Sequence, residues 1–91
     1  MQNAIRVLLK AGFTHGYTCS VWDGEEWQVK RSTSITECMK AVRSVEEAEL
    51  RFRDQAGEIV GWAWVSDTDD LEPDEKVMDC TCQPWIEAAL A

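Results

Sequence analysis

The chain has 91 residues, 45% of them hydrophobic and 29% charged, and a formal net charge of −8. That length supports one domain with a single modest core. The composition excludes wholesale disorder, and no apolar run of about 18 residues is present to cross a bilayer. A negative field of this size disfavours direct binding to nucleic acid or anionic lipid and favours basic protein surfaces.

Residues 2 to 11 are predicted as a helix, with Ala4, Ile5, Leu8 and Leu9 on one stripe, Gly12 as the stop and Phe13 as its hydrophobic contact. Arg6 and Lys10 lie inside this apolar segment rather than ahead of it, so it does not read as an export signal. A cytoplasmic location and reduced thiols at Cys19, Cys38, Cys80 and Cys82 follow as expectations. Residues Tyr17 to Trp22 and Glu25 to Lys30 flank Asp23-Gly24 and predict a β-hairpin. With Gly24 third in the loop, Cys19 pairs with Trp27 and Tyr17 with Val29, and Thr18, Ser20, Gln28 and Lys30 turn outward.

Ser34-Ile-Thr-Glu37 is a capping box, and Ile35, Cys38, Met39 and Val42 fall at helical spacing, so residues 34 to 43 form an amphipathic helix. Residues 45 to 48 either extend this helix or turn into the next strand. Residues 48 to 65 predict a second hairpin around Gln55-Ala56-Gly57, with Gly57, like Gly24, assigned a positive φ. This register pairs Phe52 with Val60, Leu50 with Trp62 and Ala48 with Trp64, placing Trp62 and Trp64, like Trp27, in the core. The two hairpin glycines stand 33 residues apart, which hints at a ββα unit used twice. Residues 66 to 79 lack apolar periodicity and predict an exposed acidic loop; Pro84 then opens a short helix over 84 to 90. The expected fold is α+β in the order αββαββα, one domain over residues 1–91, with an antiparallel sheet of about four strands and helices on one face.

No catalytic motif is present, and the chain does not read as an enzyme or as the holder of a cofactor. Cys80-Thr-Cys82 has one intervening residue where structural zinc sites use two to four, and Cys19 and Cys38 fall on core faces. His15, the single histidine, has no recognisable nucleophile partner and reads as a solvated loop residue. The run from Asp67 to Glu75 lacks the sixth-position glycine and twelfth-position glutamate of a calcium loop. Aromatics on a sheet suggest stacking of single-stranded RNA, but Lys30, Arg31, Arg51 and Arg53 are scattered in sequence and give no evident positive groove. Trp22, at a hairpin tip, is either an interaction residue or cover for a sheet edge, and Trp85 in the tail poses the same choice.

The charge is uneven. Residues 1 to 65 have net −1, whereas residues 66 to 91 hold eight acids against one Lys, net −7. Asp67, Asp69, Asp70, Glu72, Asp74, Glu75 and Asp79, with Trp22, are the candidate partner-binding residues. In size, acidity and layout the chain resembles the small acidic inhibitors that bacteriophages direct against host machinery, anti-CRISPR proteins among them. The resemblance implies an inhibitor that occupies the cationic nucleic-acid-binding surface of a host defence complex, its carboxylates standing in for phosphates toward Arg and Lys. Two other readings are a structural or assembly subunit whose acidic segment confers solubility, and a metal or redox module using Cys80 and Cys82.

Overall fold

Asn3 opens the first helix by accepting the Ile5 N–H on its side-chain oxygen at 2.9 Å. The computed structural model describes residues 2–91. Its elements are α1 (Ala4–Thr14), β1 (Thr18–Trp22), β2 (Trp27–Ser32), α2 (Ile35–Arg43), β3 (Ala48–Arg53), β4 (Ile59–Val65), a 3-10 turn (Pro73–Glu75), β5 (Val77–Cys80) and α3 (Pro84–Leu90). The strands form one antiparallel sheet in the order β2-β1-β3-β4-β5. The α+β class is as expected, with a fifth strand inside the segment predicted as loop.

Three helix expectations meet the structure differently. Ser34 caps α2, its hydroxyl accepting the Glu37 N–H. The third helix starts at Pro84, as read. Gly12, however, lies within α1 rather than beyond it, and Gly16, with φ 84°, is the left-handed residue where the chain turns away. The requirement for glycine at position 12 is close packing: a Cβ there would stand 2.7 Å from the Phe52 ring.

The second hairpin shows how one residue redirects a face. Its turn has the expected form, with Asp54 N–H donating to the Glu58 carbonyl at 2.9 Å, Gly57 N–H donating to the Asp54 carbonyl at 3.0 Å, and Gly57 at φ 85°. Arg53 then pairs with Ile59, but Phe52 pairs with Gly61, leaving Val60 as an extra residue in a bulge. Because side chains alternate with period two, this single insertion reverses the face of everything beyond it. Ala48, Leu50 and Phe52 meet Val65, Ala63 and Gly61 on the inner face, while Trp62 and Trp64 stand opposite Arg51 and Glu49 on the outer one. The expected burial of Trp62 and Trp64 in the core is thus overturned.

Space and hydrogen bonding explain the outcome. A Cβ on Gly61 would lie 2.8 Å from both Ile86 and Trp85, so α3 rests directly on this part of β4. Trp85 supplies the missing ring, meeting Phe52 edge-on at 4.9 Å, and its indole N–H donates to the Val60 carbonyl at 2.9 Å. The backbone freed at the bulge is therefore satisfied by the helix that covers it. The core beneath the three helices comprises Ile5, Leu8, Leu9, Cys19, Val21, Cys38, Met39, Val42, Leu50, Phe52 and Ile86 with their smaller neighbours, all nearly inaccessible.

The first hairpin also departs from its expected register. Trp22 pairs with Trp27, Val21 with Val29 and Cys19 with Ser32, with irregularities between them. The turn is tightened by Asp23, whose carboxylate accepts the Glu25 and Glu26 N–H groups at 2.8 Å each, around Gly24 at φ 103°. These bonds from Glu26 and Glu25, with the Gln28 amide, hold the Asp23 carboxyl below the usual carboxylate range. Trp27 consequently pairs with Trp22 on the outer face, not with Cys19 on the inner one. The strand irregularity leaves Arg31 with φ 50°, the single non-glycine residue with positive φ among those described. Its N–H donates to the Ser20 hydroxyl at 2.9 Å.

Candidate functional site

The helices cover one face of the sheet, so the outer face and the β5 edge present the functional side chains. Register places Trp27, Trp22, Glu49, Trp64 and Asp79 in successive cross-strand pairs from β2 to β5. Ser20, Arg51 and Trp62 form the neighbouring row. Trp22, Trp27, Trp62 and Trp64 are each half-buried. Trp22 meets Trp27 edge-on with centroids 5.0 Å apart, and the Trp64 indole N–H points to Glu47 at 3.4 Å.

The acidic segment splits into one internal carboxylate and six external ones. Asp67 has a side chain only 4% exposed and accepts hydrogen bonds from Lys76 at 2.6 Å, Arg43 at 2.8 Å and Asn3 at 3.0 Å. It fastens the segment to α2 and to the start of α1, and its expected role in touching a partner gives way to this internal one. Burial pushes its carboxyl up, but the bonds from Lys76, Arg43 and Asn3 outweigh that and hold it below the usual range. Asp69, Asp70, Glu72, Asp74, Glu75 and Asp79 are exposed, and none is in an ion pair among the described residues. Asp70 is further held in its ionised form by a hydrogen bond from Thr68. Asp74 and Glu75 lie on the 3-10 turn, and Asp79 lies on β5, the strand missed in sequence because it has only four residues and a register shift at Met78 breaks their alternation.

A second surface was not expected. Ser20, Trp27, Lys30, Arg31, Arg51 and Arg53 line one groove of about 520 Å³ on the outer face of β2, β1 and β3. Four cations scattered in the sequence therefore meet in space. Arg51 stands over the Trp27 ring, 5.0 Å from its centroid, and is paired with Glu49 at 2.6 Å. Arg53 donates to the Gly57 carbonyl at 2.8 Å. Lys30 and Arg31 are exposed and in no ion pair among the described residues. The signal for this groove lay in Glu49-Leu-Arg51-Phe-Arg53, whose alternation already placed both arginines on one side of a strand.

The remaining candidates have local roles. Trp85 is a cover for the core rather than a free interaction residue. His15 is exposed at the end of α1 and stacks on Tyr17 with centroids 5.4 Å apart. The four cysteines are free thiols: Cys19 and Cys38 buried, Cys80 half-buried and Cys82 exposed. No three of the described His, Cys, Asp or Glu side chains are grouped as metal ligands, so the four thiols do not form one site. Among the described residues no helix is long and apolar enough to cross a membrane.

Comparison with protein-family models, curated proteins and solved structures finds no match to the chain.

Proposed function

We propose that the chain is a non-catalytic protein-binding inhibitor whose acidic edge occupies a cationic, nucleic-acid-binding surface on another protein. The observation that carries this reading is the separation of Asp67 from its neighbours. Six carboxylates face solvent without a cation partner among the described residues, on a segment that Asp67 clamps to the body through Lys76, Arg43 and Asn3. Carboxylates held in place lose less freedom on meeting a partner than those on a loose tail, which favours recognition by Arg and Lys. Exposed like charges at this density repel one another and add nothing to folding, so their fit to a basic partner is the simplest account of their placement.

The test compares the parent with a variant carrying Asp69→Asn, Asp70→Asn, Asp74→Asn and Glu75→Gln, leaving Asp67 intact. Expected is capture from lysate of a nucleic-acid-binding protein by the parent alone, its displacement by added duplex DNA, and weaker capture as salt rises. Equal capture by the variant, or capture indifferent to duplex DNA, overturns the reading.

A further inference from the structure

The groove on the outer face is a separate matter from the acidic edge, and its chemistry is of the opposite sign. We propose that it binds single-stranded nucleic acid, with Lys30, Arg31 and Arg53 contacting phosphates and the Trp27–Arg51 pair, flanked by Trp22 and Trp62, forming the surface on which bases stack. Three observations support this. Four cations and an indole share one groove of about 520 Å³, a size suited to a nucleotide unit rather than to a metal or a free anion. The cations least engaged within the chain, Lys30 and Arg31, stand at its exposed β2 side, where a backbone would run. Arg51 lies flat-ring distance from Trp27 and opposite Trp62, so a guanidinium and indoles provide the π-surfaces that unstacked bases use.

The net charge of the chain does not oppose this arrangement as strongly as the count suggests. In the strand order β2-β1-β3-β4-β5, Lys30 and Arg31 on β2 and Asp79 on β5 lie on opposite edges. Four strand spacings separate them by about 19 Å, roughly twice the screening length of about 8 to 10 Å near physiological ionic strength. Glu49 is already paired with Arg51, and Asp79, the other carboxylate in the cross-strand rows of this face, lies on β5 at the far edge. The sequence expectation of no direct nucleic-acid contact rested on charge summed along the chain, whereas an approaching strand meets charge as it is distributed in space. An acidic peptide would satisfy the cations but leave the rings unused, and a duplex would conceal its base faces, which is why a single strand is the assigned ligand.

Arg31 supplies an independent handle. At φ 50° it occupies a backbone region that favours glycine, so the fold would accept Gly there at least as well as Arg. Arg31→Gly therefore removes a groove cation without weakening the scaffold. The experiment measures anisotropy of a labelled 12-mer of thymidylate with the parent, with Lys30→Gln/Arg31→Gly and with Trp27→Leu, alongside thermal melts. Expected for the parent is binding at low salt that is tighter than to a duplex of equal length, with a log–log salt slope of about −2 for three phosphates. Lys30→Gln/Arg31→Gly should melt no lower than the parent, bind at least about tenfold more weakly and flatten the slope by about 1.4. Trp27→Leu should lose at least about fivefold with an unchanged slope, because stacking carries no counterions. Absence of binding by the folded parent at low salt overturns the proposal, as does unchanged binding by the double variant. Equal affinity for the duplex, or equal competition by a polyglutamate of the same charge, overturns the assignment to single strands.

Discussion

Phe52 lies directly opposite Gly61 across β3 and β4, and the place of the missing side chain is taken by the indole of Trp85 and the tip of Ile86. The glycine is needed for close approach rather than for an unusual φ. Gly61→Ala should therefore overpack this junction and cost about 1 to 3 kcal/mol, read as a lower midpoint in urea. A midpoint equal to the parent's would mean that α3 does not rest on β4 as described.

The bulge at Val60 predicts a contrast between neighbours in the sheet. Leu50 is fully buried, so Leu50→Ala should lose roughly 2 to 5 kcal/mol, as large-to-small core changes do. Trp62, on the outer face, should lose only about 1 kcal/mol on replacement by Ala, within the ordinary range for residues outside the core. Equal losses from urea titration of the two variants would restore the unbulged register.

This contrast also shows where sequence reasoning stops. The turn at Asp54 to Glu58 was legible because Gly57 dictates its geometry, and α2 was legible from its capping box and spacing. The bulge was not, because it depends on Trp85 and Ile86, about 25 residues away, pressing on Gly61 and bonding the Val60 carbonyl. Once Val60 slips, the tryptophans change face, so an error of one residue becomes an error about where the aromatic surface is. The acidic segment was legible as composition, yet the internal role of Asp67 required Lys76, Arg43 and Asn3 to be placed together. The groove was missed for the same reason: Lys30 and Arg31 join Arg51 and Arg53 only through β1, which lies between their strands.

The thiols should separate by burial. Burial raises the Cys19 thiol well above its ordinary value, and its contact with Cys38 adds to this; burial likewise raises Cys80, helped by the nearby Asp79 charge. Cys82 is the exposed one. Iodoacetamide on the native protein at pH 8 should modify Cys82 first, Cys80 slowly, and Cys19 and Cys38 only after unfolding in denaturant. Peptide mass mapping that finds Cys19 labelled at the rate of Cys82 would contradict the packing of β1 against α2.

The Asp67 cluster makes a prediction about pH as well as magnitude. Lys76 is paired with Asp67 and its side chain is only 13% exposed, whereas Arg43 is 56% exposed and can turn to solvent. Asp67→Asn should thus cost about 2 to 3 kcal/mol at pH 7, mainly by leaving Lys76 without its charged acceptor. Because the folded carboxyl is held below its unfolded value of about 3.9, the stabilisation is complete above that pH and is lost as pH falls through the lower folded value. The gap in melting temperature between parent and Asp67→Asn should therefore be constant from pH 7 to 5, narrow below about pH 4 and close once Asp67 is protonated in the parent. Asp23 and Asp70, whose carboxyls are also held low, titrate in both proteins and cancel in the difference. A gap that persists unchanged at low pH would mean that Asn at position 67 disturbs packing, and that the ionic bonds to Lys76 and Arg43 are not what holds the acidic segment to the body.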